Sequence, residues 1–265
     1  MRLDLIAILI VLFGITSANA QMDEQFYHPS KQMNPIEWEN REEFSLLVEK
    51  DTITGIILKP LTKPKATILF FHGTGGNIST YIFMTLPLVQ NNYQVVMVDF
   101  RGYGKSTGKP THINIAKDGQ YFFDSILKNE KVKNTKIILY GASMGSQIAT
   151  HLAKNNQERI KALILDGAMA SFTDIAIYYT PKFKEVLEKT YKSPYAAKED
   201  IKQLTNIKKL FIHSKDDVEV PFEQGRTVFD NAAEPKRFIE YSGAHLKAIQ
   251  LKADEVLNAI NDLIE

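Results

Sequence analysis

The side chains best able to do chemistry in this chain are one serine, six histidines and a neighbouring pair of aspartates. Ser143 stands in Gly141-Ala142-Ser143-Met144-Gly145, a G-x-S-x-G pattern. That pattern is informative when a strand enters it and a helix leaves it, because the sharp turn then lifts the hydroxyl clear of the sheet. Both conditions are predicted. "KIILY" before it is a short β-rich apolar run, and "SQIATHLAKNN" after it has helix formers with Ile148, Ala149 and Leu152 on one face. A match of three residues arises by chance in roughly 3% of chains this long, so the motif needs partners elsewhere.

A serine hydroxyl is a poor nucleophile at neutral pH and requires a base, which in turn requires a third group to fix its tautomer and stabilise the imidazolium. The candidates are His28, His72, His112, His151, His213 and His245. His28 lies in an N-terminal polar segment, His112 before a helix, and His151 on the helix after the serine, pointing away from the sheet edge. His72 and His213 end strands. His245 follows the last predicted strand, where the order serine, acid, histidine puts the base. The acid belongs after the strand "KKLFIH", where Asp216 and Asp217 are both available. Acyl transfer also needs two N–H donors for the developing oxyanion. The residue after the nucleophile, Met144, supplies one, and the loop "HGTGGN" after the third strand supplies the other through Thr74.

The elements that must position these groups form a regular series. "EEFSLLVEKDTITGIILKP" reads as two strands joined near Lys50 and Asp51. Six short apolar runs follow, "ATILFFHG", "YQVVMVDFRG", "KIILYGAS", "KALILDGA", "KKLFIHSK" and "KRFIEYSG". Helical periodicity lies between them over 78–91, 113–129, 146–156, 222–231 and 246–264. Strand alternating with helix implies an α/β fold, a mostly parallel sheet covered on both faces. Without repeats or a low-complexity linker, one domain over 44–265 is expected after a lead-in at 21–43. Residues 171–207 carry no strand and read as a small helical lid over the carboxyl edge of the sheet.

Taken together these motifs resemble the α/β-hydrolase superfamily. "FFHGTGGN", "DFRGYGKSTG", "GASMG", "HSKDDVEVP" and "SGAH" match it in chain order, from about Phe44 to the C-terminus. The nearest likeness is to small single-domain serine hydrolases of the serine-aminopeptidase-like branch, which includes esterases, thioesterases, lipid-directed hydrolases and peptidases. The resemblance implies an acid at the fifth residue of H-G-x-x-D-x-x-x-P, hence Asp217 within His213 to Pro221. Ser214 departs from that pattern, standing where the family has glycine.

Composition narrows the alternatives. Thirty-two basic against 31 acidic side chains leave a net charge of +1, which announces no polyanion-binding stripe, so nucleic acid is not an expected partner. "GKS" at 104–106 is not a phosphate loop, because Asp99 stands where that motif needs its first glycine. Without cysteine or H-E-x-x-H, no metal or other cofactor is implied. Asp99, Arg101 and Ser106 are expected to brace the oxyanion loop.

The N-terminus has an apolar run over 5–15 followed by Ala18-Asn19-Ala20, the pattern of a signal peptide cleaved after Ala20. The run is too short to span a bilayer, which takes about 20 residues. The expectation is a periplasmic or secreted serine hydrolase with no membrane span after cleavage. It would use Ser143, His245 and Asp217, with Thr74 and Met144 N–H groups, on a small-molecule acyl substrate: an ester or thioester, with an amide as the further option. The short lid predicts acyl chains of roughly four to eight carbons.

Overall fold

The computed structural model describes residue 23 and residues 25–265. The expected leader, residues 1–20, lies outside the described residues. The strands in chain order are β1 (His28–Pro29), β2 (Arg41–Val48), β3 (Asp51–Leu58), β4 (Thr67–Phe71), β5 (Gly75–Gly76), β6 (Gln94–Val98), β7 (Ile137–Ala142), β8 (Ala162–Asp166), β9 (Lys208–Ser214) and β10 (Lys236–Tyr241). Among the described residues, eight of them form one sheet in the order β10-β9-β8-β7-β4-β6-β3-β2. From β6 and β4 through to β10 neighbouring strands are parallel, while β2, β3 and β6 pair antiparallel.

The apolar runs are continuous because both faces of the central strands are covered: every residue of β4, β6, β7 and β8 is buried. Alternate residues feed two separate cores. Leu69, Phe71, Leu139 and Leu165 point to one face. There they meet helices α2 (His112–Ile126), α3 (Gly145–Asn155), α6 (Ala197–Asp200) and α7 (Phe222–Asn231). Ile68, Phe70, Tyr140 and Ile164 point to the other. That face is covered by α1 (Ile82–Gln90), α8 (Ala248–Leu251) and α9 (Ala253–Asp262). Thr111 starts α2 with a capping box, its hydroxyl accepting from Asn114 N–H while the Asn114 side chain accepts from Thr111 N–H. This is the α/β architecture expected from the sequence.

Three local features differ from expectation. The final helix is broken at Lys252, which has φ −136°, and whose ammonium donates to the carbonyl of Glu240. The stretch 171–207 divides in two. Helices α4 (Phe172–Tyr179) and α5 (Lys184–Thr190) rise over the site. From Tyr191 onward, Tyr195, Ala197, Ile201, Leu204 and Ile207 are buried core. A crossover between the parallel strands β8 and β9 needs a layer packed on the sheet, and 197–203 supplies part of it. The polar lead-in, finally, is held against the body. Tyr27 is buried, and β1 pairs in parallel with β5.

Candidate active site

Ser143 occupies the turn between β7 and α3 with φ +53°, a left-handed backbone that a non-glycine residue adopts only at a cost. Its N–H donates to the carbonyl of Asp166 at 2.8 Å, tying the turn to the end of β8. The flanking glycines are required by close approach. A Cβ on Gly145 would stand 2.1 Å from the carbonyl oxygen of Phe71, and one on Gly141 would stand 2.6 Å from that of Gly145. The tight strand–turn–helix therefore follows from residue size at 141 and 145, and it brings Ser143 to the carboxyl edge of the sheet with 7% of its surface exposed.

Two strands away, Asp217 follows β9. Its Oδ1 accepts N–H groups from Glu219 at 2.9 Å and Val220 at 2.8 Å, and its Oδ2 accepts from His245 Nδ1 at 2.5 Å. Burial works against charge on Asp217, but the hydrogen bond and charge of His245 outweigh it and hold the carboxyl below the usual range. Burial likewise opposes an imidazolium at His245, yet its bond to Asp217 and that negative charge keep its pKa above the ordinary histidine value. With Nδ1 committed, Nε2 is buried without a hydrogen-bond partner. The ring lies against Gly167, the residue after β8, where a Cβ would be 2.5 Å from Cε1. Ser143 and His245 thus both abut the end of β8. Asp216, the other aspartate, is exposed and accepts the N–H of Gly243 at 3.0 Å. Ser214 donates to the carbonyl of the same Gly243 at 2.5 Å, so the residue that departs from the family pattern clasps the loop carrying His245.

Thr74 and Met144 border Ser143 from the other side. Met144 precedes the first turn of α3, and among the described residues neither its N–H nor that of Thr74 has a hydrogen-bond partner. The 99–106 turn braces this loop. Asp99 Oδ1 accepts the N–H of Ile78 at 2.8 Å, Ser106 donates to the carbonyl of Asp99 at 2.8 Å, and Tyr103 donates to the carbonyl of Thr74 at 2.6 Å. Arg101 is turned away, bonding Asp118 at 2.6 and 2.8 Å and Asp51 at 2.7 Å.

The remaining histidines have other partners. His72 is fully buried 3.8 Å from Asp99, and burial depresses its pKa to about 4. His213 bonds the carbonyl of Val220 through Nε2 beneath Asp217. His151 pairs with Asp200 at 2.7 Å. His112 is stacked on Phe172 between the hydroxyls of Tyr27 and Tyr191, each 2.6 Å from a ring nitrogen. His28 is exposed at the pocket mouth. Sequence reasoning missed Asp166, whose carboxyl burial raises to about 7 and which accepts a bond from Tyr140 at 2.8 Å. The signal that could have found it is "LDGA", an acid and a glycine ending a strand beside the serine turn.

Ser143, Thr74 and Met144 open into a cavity of about 930 Å³, near the upper end for small-molecule sites. Ile175, Ala176, Tyr179, Val186 and Leu187 from the two lid helices, with Phe183 from the turn between them, form much of its wall. Tyr179 donates to the carbonyl of Glu219 at 2.8 Å, fastening the lid to the loop that holds Asp217. α4 and α5 also send Phe172, Ile175, Ala176 and Leu187 into the core beneath the cavity.

A serine turn, an Asp–His pair and a loop of free N–H groups on one edge of a mostly parallel sheet define an α/β hydrolase. The esterase Pf2001 of Pyrococcus furiosus shares the fold, with a TM-score of 0.69 at 17% identity over 90% of this chain and 97% of that one. The chain belongs to the family described as serine aminopeptidase, S33, whose model matches residues 62–201. It is 28% identical to the Escherichia coli (strain K12) protein YfhR, covering 89% of this chain and 87% of that protein. It is 29% identical to the lysophosphatidylserine lipase ABHD12 of Macaca fascicularis, over 68% of this chain and 49% of the relative.

Proposed function

We propose that the protein is an exported serine hydrolase that cleaves esters or thioesters of apolar acyl groups through an acyl-enzyme, with amides as a lesser option. Ser143 Oγ attacks the acyl carbonyl carbon while its proton passes to His245 Nε2. The Thr74 and Met144 N–H groups receive the oxyanion. As the intermediate collapses, the imidazolium gives its proton to the departing alkoxide or thiolate, leaving an acyl ester on Ser143. Water, deprotonated by His245, then attacks the ester, and the acid product leaves with Ser143 restored. Asp217 holds the required tautomer through the 2.5 Å bond to Nδ1.

One observation carries this reading most directly. The imidazole has its Nδ1 bonded to a buried carboxylate and its Nε2 unpartnered, on the same sheet edge as a serine held at positive φ. The apolar cavity supports an acyl rather than an aminoacyl substrate. Glu219 is the one acid among the described residues that line it, and the lid acid Asp174 is paired with Lys198 at 2.7 Å. The lipase and esterase named above are consistent with that class.

A fluorophosphonate probe and p-nitrophenyl esters of increasing length, set against aminoacyl amides, test the proposal. Labelling at Ser143 with ester turnover is expected. Absence of both would leave a hydrolase scaffold used only for binding, and a preference for aminoacyl amides would overturn the acyl-ester assignment. Export is tested by mass spectrometry of the secreted chain, which should begin at Gln21; an intact Met1 would refute cleavage.

A further inference from the structure

We propose that the strap formed by residues 25–30 is a working part of this site, positioning Thr74 so that its N–H is left for the substrate oxyanion. The proposal rests on the hydrolase reading above. The loop needs an external restraint, because Gly73, Gly75 and Gly76 surround Thr74 and Gly76 has φ +79°. Glycines allow the backbone to approach a ligand but also give it many conformations to lose.

The restraint comes from chain N-terminal to the hydrolase core. Thr74 has three polar groups, and two of them are engaged. Its hydroxyl donates to the carbonyl of Phe26. Its own carbonyl accepts from the N–H of His28 at 3.0 Å and from the hydroxyl of Tyr103 at 2.6 Å. Parallel pairing of His28–Pro29 with Gly75–Gly76 continues the contact, Ser30 N–H donates to the carbonyl of Gly76 at 2.8 Å, and Gly104 N–H donates to that of Ser30 at 3.0 Å.

The strap is itself anchored away from the loop. The Phe26 ring meets Phe172 edge-on at 5.5 Å and His112 at 5.1 Å, and Tyr27 bonds His112 at 2.6 Å. One segment therefore links the oxyanion loop to the base of the lid, and Phe26 and His28 also line the cavity.

The test is steady-state ester hydrolysis and fluorophosphonate labelling of the full mature chain with Thr74→Val, Thr74→Ser and His28→Pro. Thr74→Val removes the bond to Phe26 and keeps the N–H; kcat should fall about tenfold, the scale of one hydrogen bond used for positioning, with KM changed less than twofold. Thr74→Ser keeps the hydroxyl and should restore most of that rate. His28→Pro deletes the second strap donor and should again lower kcat rather than raise KM. A Thr74→Val enzyme as fast as the wild type, or a Thr74→Ser enzyme as slow as Thr74→Val, overturns the positioning role while wild-type labelling stands. A wild type that neither labels nor turns over esters overturns the hydrolase reading and this proposal with it.

Discussion

Replacing Gly167 with alanine is expected to disable the site while leaving the fold nearly intact. The new Cβ would lie 2.5 Å from His245 Cε1 and 3.0 Å from Nδ1, where ordinary contact is 3.4–4 Å. The ring must therefore withdraw by about 1 Å, and a misplacement of that size costs on the order of 10²-fold in rate. Gly167 also has φ +61°, so an alanine there adds roughly 1 kcal/mol of backbone strain, worth about 2–4 °C in Tm for a domain of this size. The assay pairs kcat on a p-nitrophenyl ester with a thermal melt. A hundredfold loss of rate with a melting shift of a few degrees is expected. A kcat within threefold of wild type would refute the argument that the proposed base is held over Gly167 in its working position.

Ser143→Ala should abolish fluorophosphonate labelling and cost at least about 10⁴-fold in kcat, since nucleophile and base act as a unit; retained labelling would move the nucleophile elsewhere. Asp217→Asn should cost about 10⁴-fold, whereas Asp216→Asn, whose amide oxygen can still accept from Gly243, should cost only a few-fold; the reverse ranking would exchange the two acids. Because Asp217 keeps the His245 pKa above its ordinary value, the proposed base is expected to be protonated and idle on the acid side, with activity rising as pH climbs through that pKa. Residual activity of Asp217→Asn should therefore have its acid limb at lower pH, and an unmoved limb would contradict the assigned coupling. The cavity of about 930 Å³ has room for acyl chains longer than the four to eight carbons expected from the lid's length, and a longer optimum is the prediction. Each methylene buried adds about 0.8 kcal/mol, so kcat/KM should keep rising beyond eight carbons, and a maximum at or below eight would restore the short slot.

Much of this architecture was legible because its determinants are local. The runs at 68–71, 95–98, 137–142, 162–165 and 210–212 carry no polar side chain apart from the Tyr140 hydroxyl, which is how strands covered on both faces read. Gly141 and Gly145 mark the serine turn by size alone. The strap was not legible, since two-residue β1 has no periodicity and Phe26 is apolar for contacts with Phe172 and Tyr191, far along the chain. The lid limit failed for a related reason: Tyr191, Tyr195 and Ile201 have the same composition as Tyr178 and Ile177, and only the crossover from β8 to β9 decides which of them the sheet buries. Choosing Asp217 over Asp216 needed the family pattern, because the difference lies in the 2.5 Å bond to a histidine 28 residues away.

The positive φ of Ser143 gives the proposed nucleophile a thermodynamic signature that requires no substrate. A β-carbon in the left-handed region is disfavoured by about 1–2 kcal/mol, and that burden is carried by serine and alanine alike but not by glycine. Glycine's greater freedom in the unfolded chain takes back about 0.4–1 kcal/mol of that relief, so Ser143→Gly should melt about one to three degrees above Ser143→Ala, although both remove the same hydroxyl. If it does, the native chain is holding position 143 in a conformation that costs folding free energy, a trade of stability for the placement of one oxygen atom. A Ser143→Gly protein melting below Ser143→Ala would mean that the turn is relaxed in solution and the hydroxyl is not held up by backbone strain.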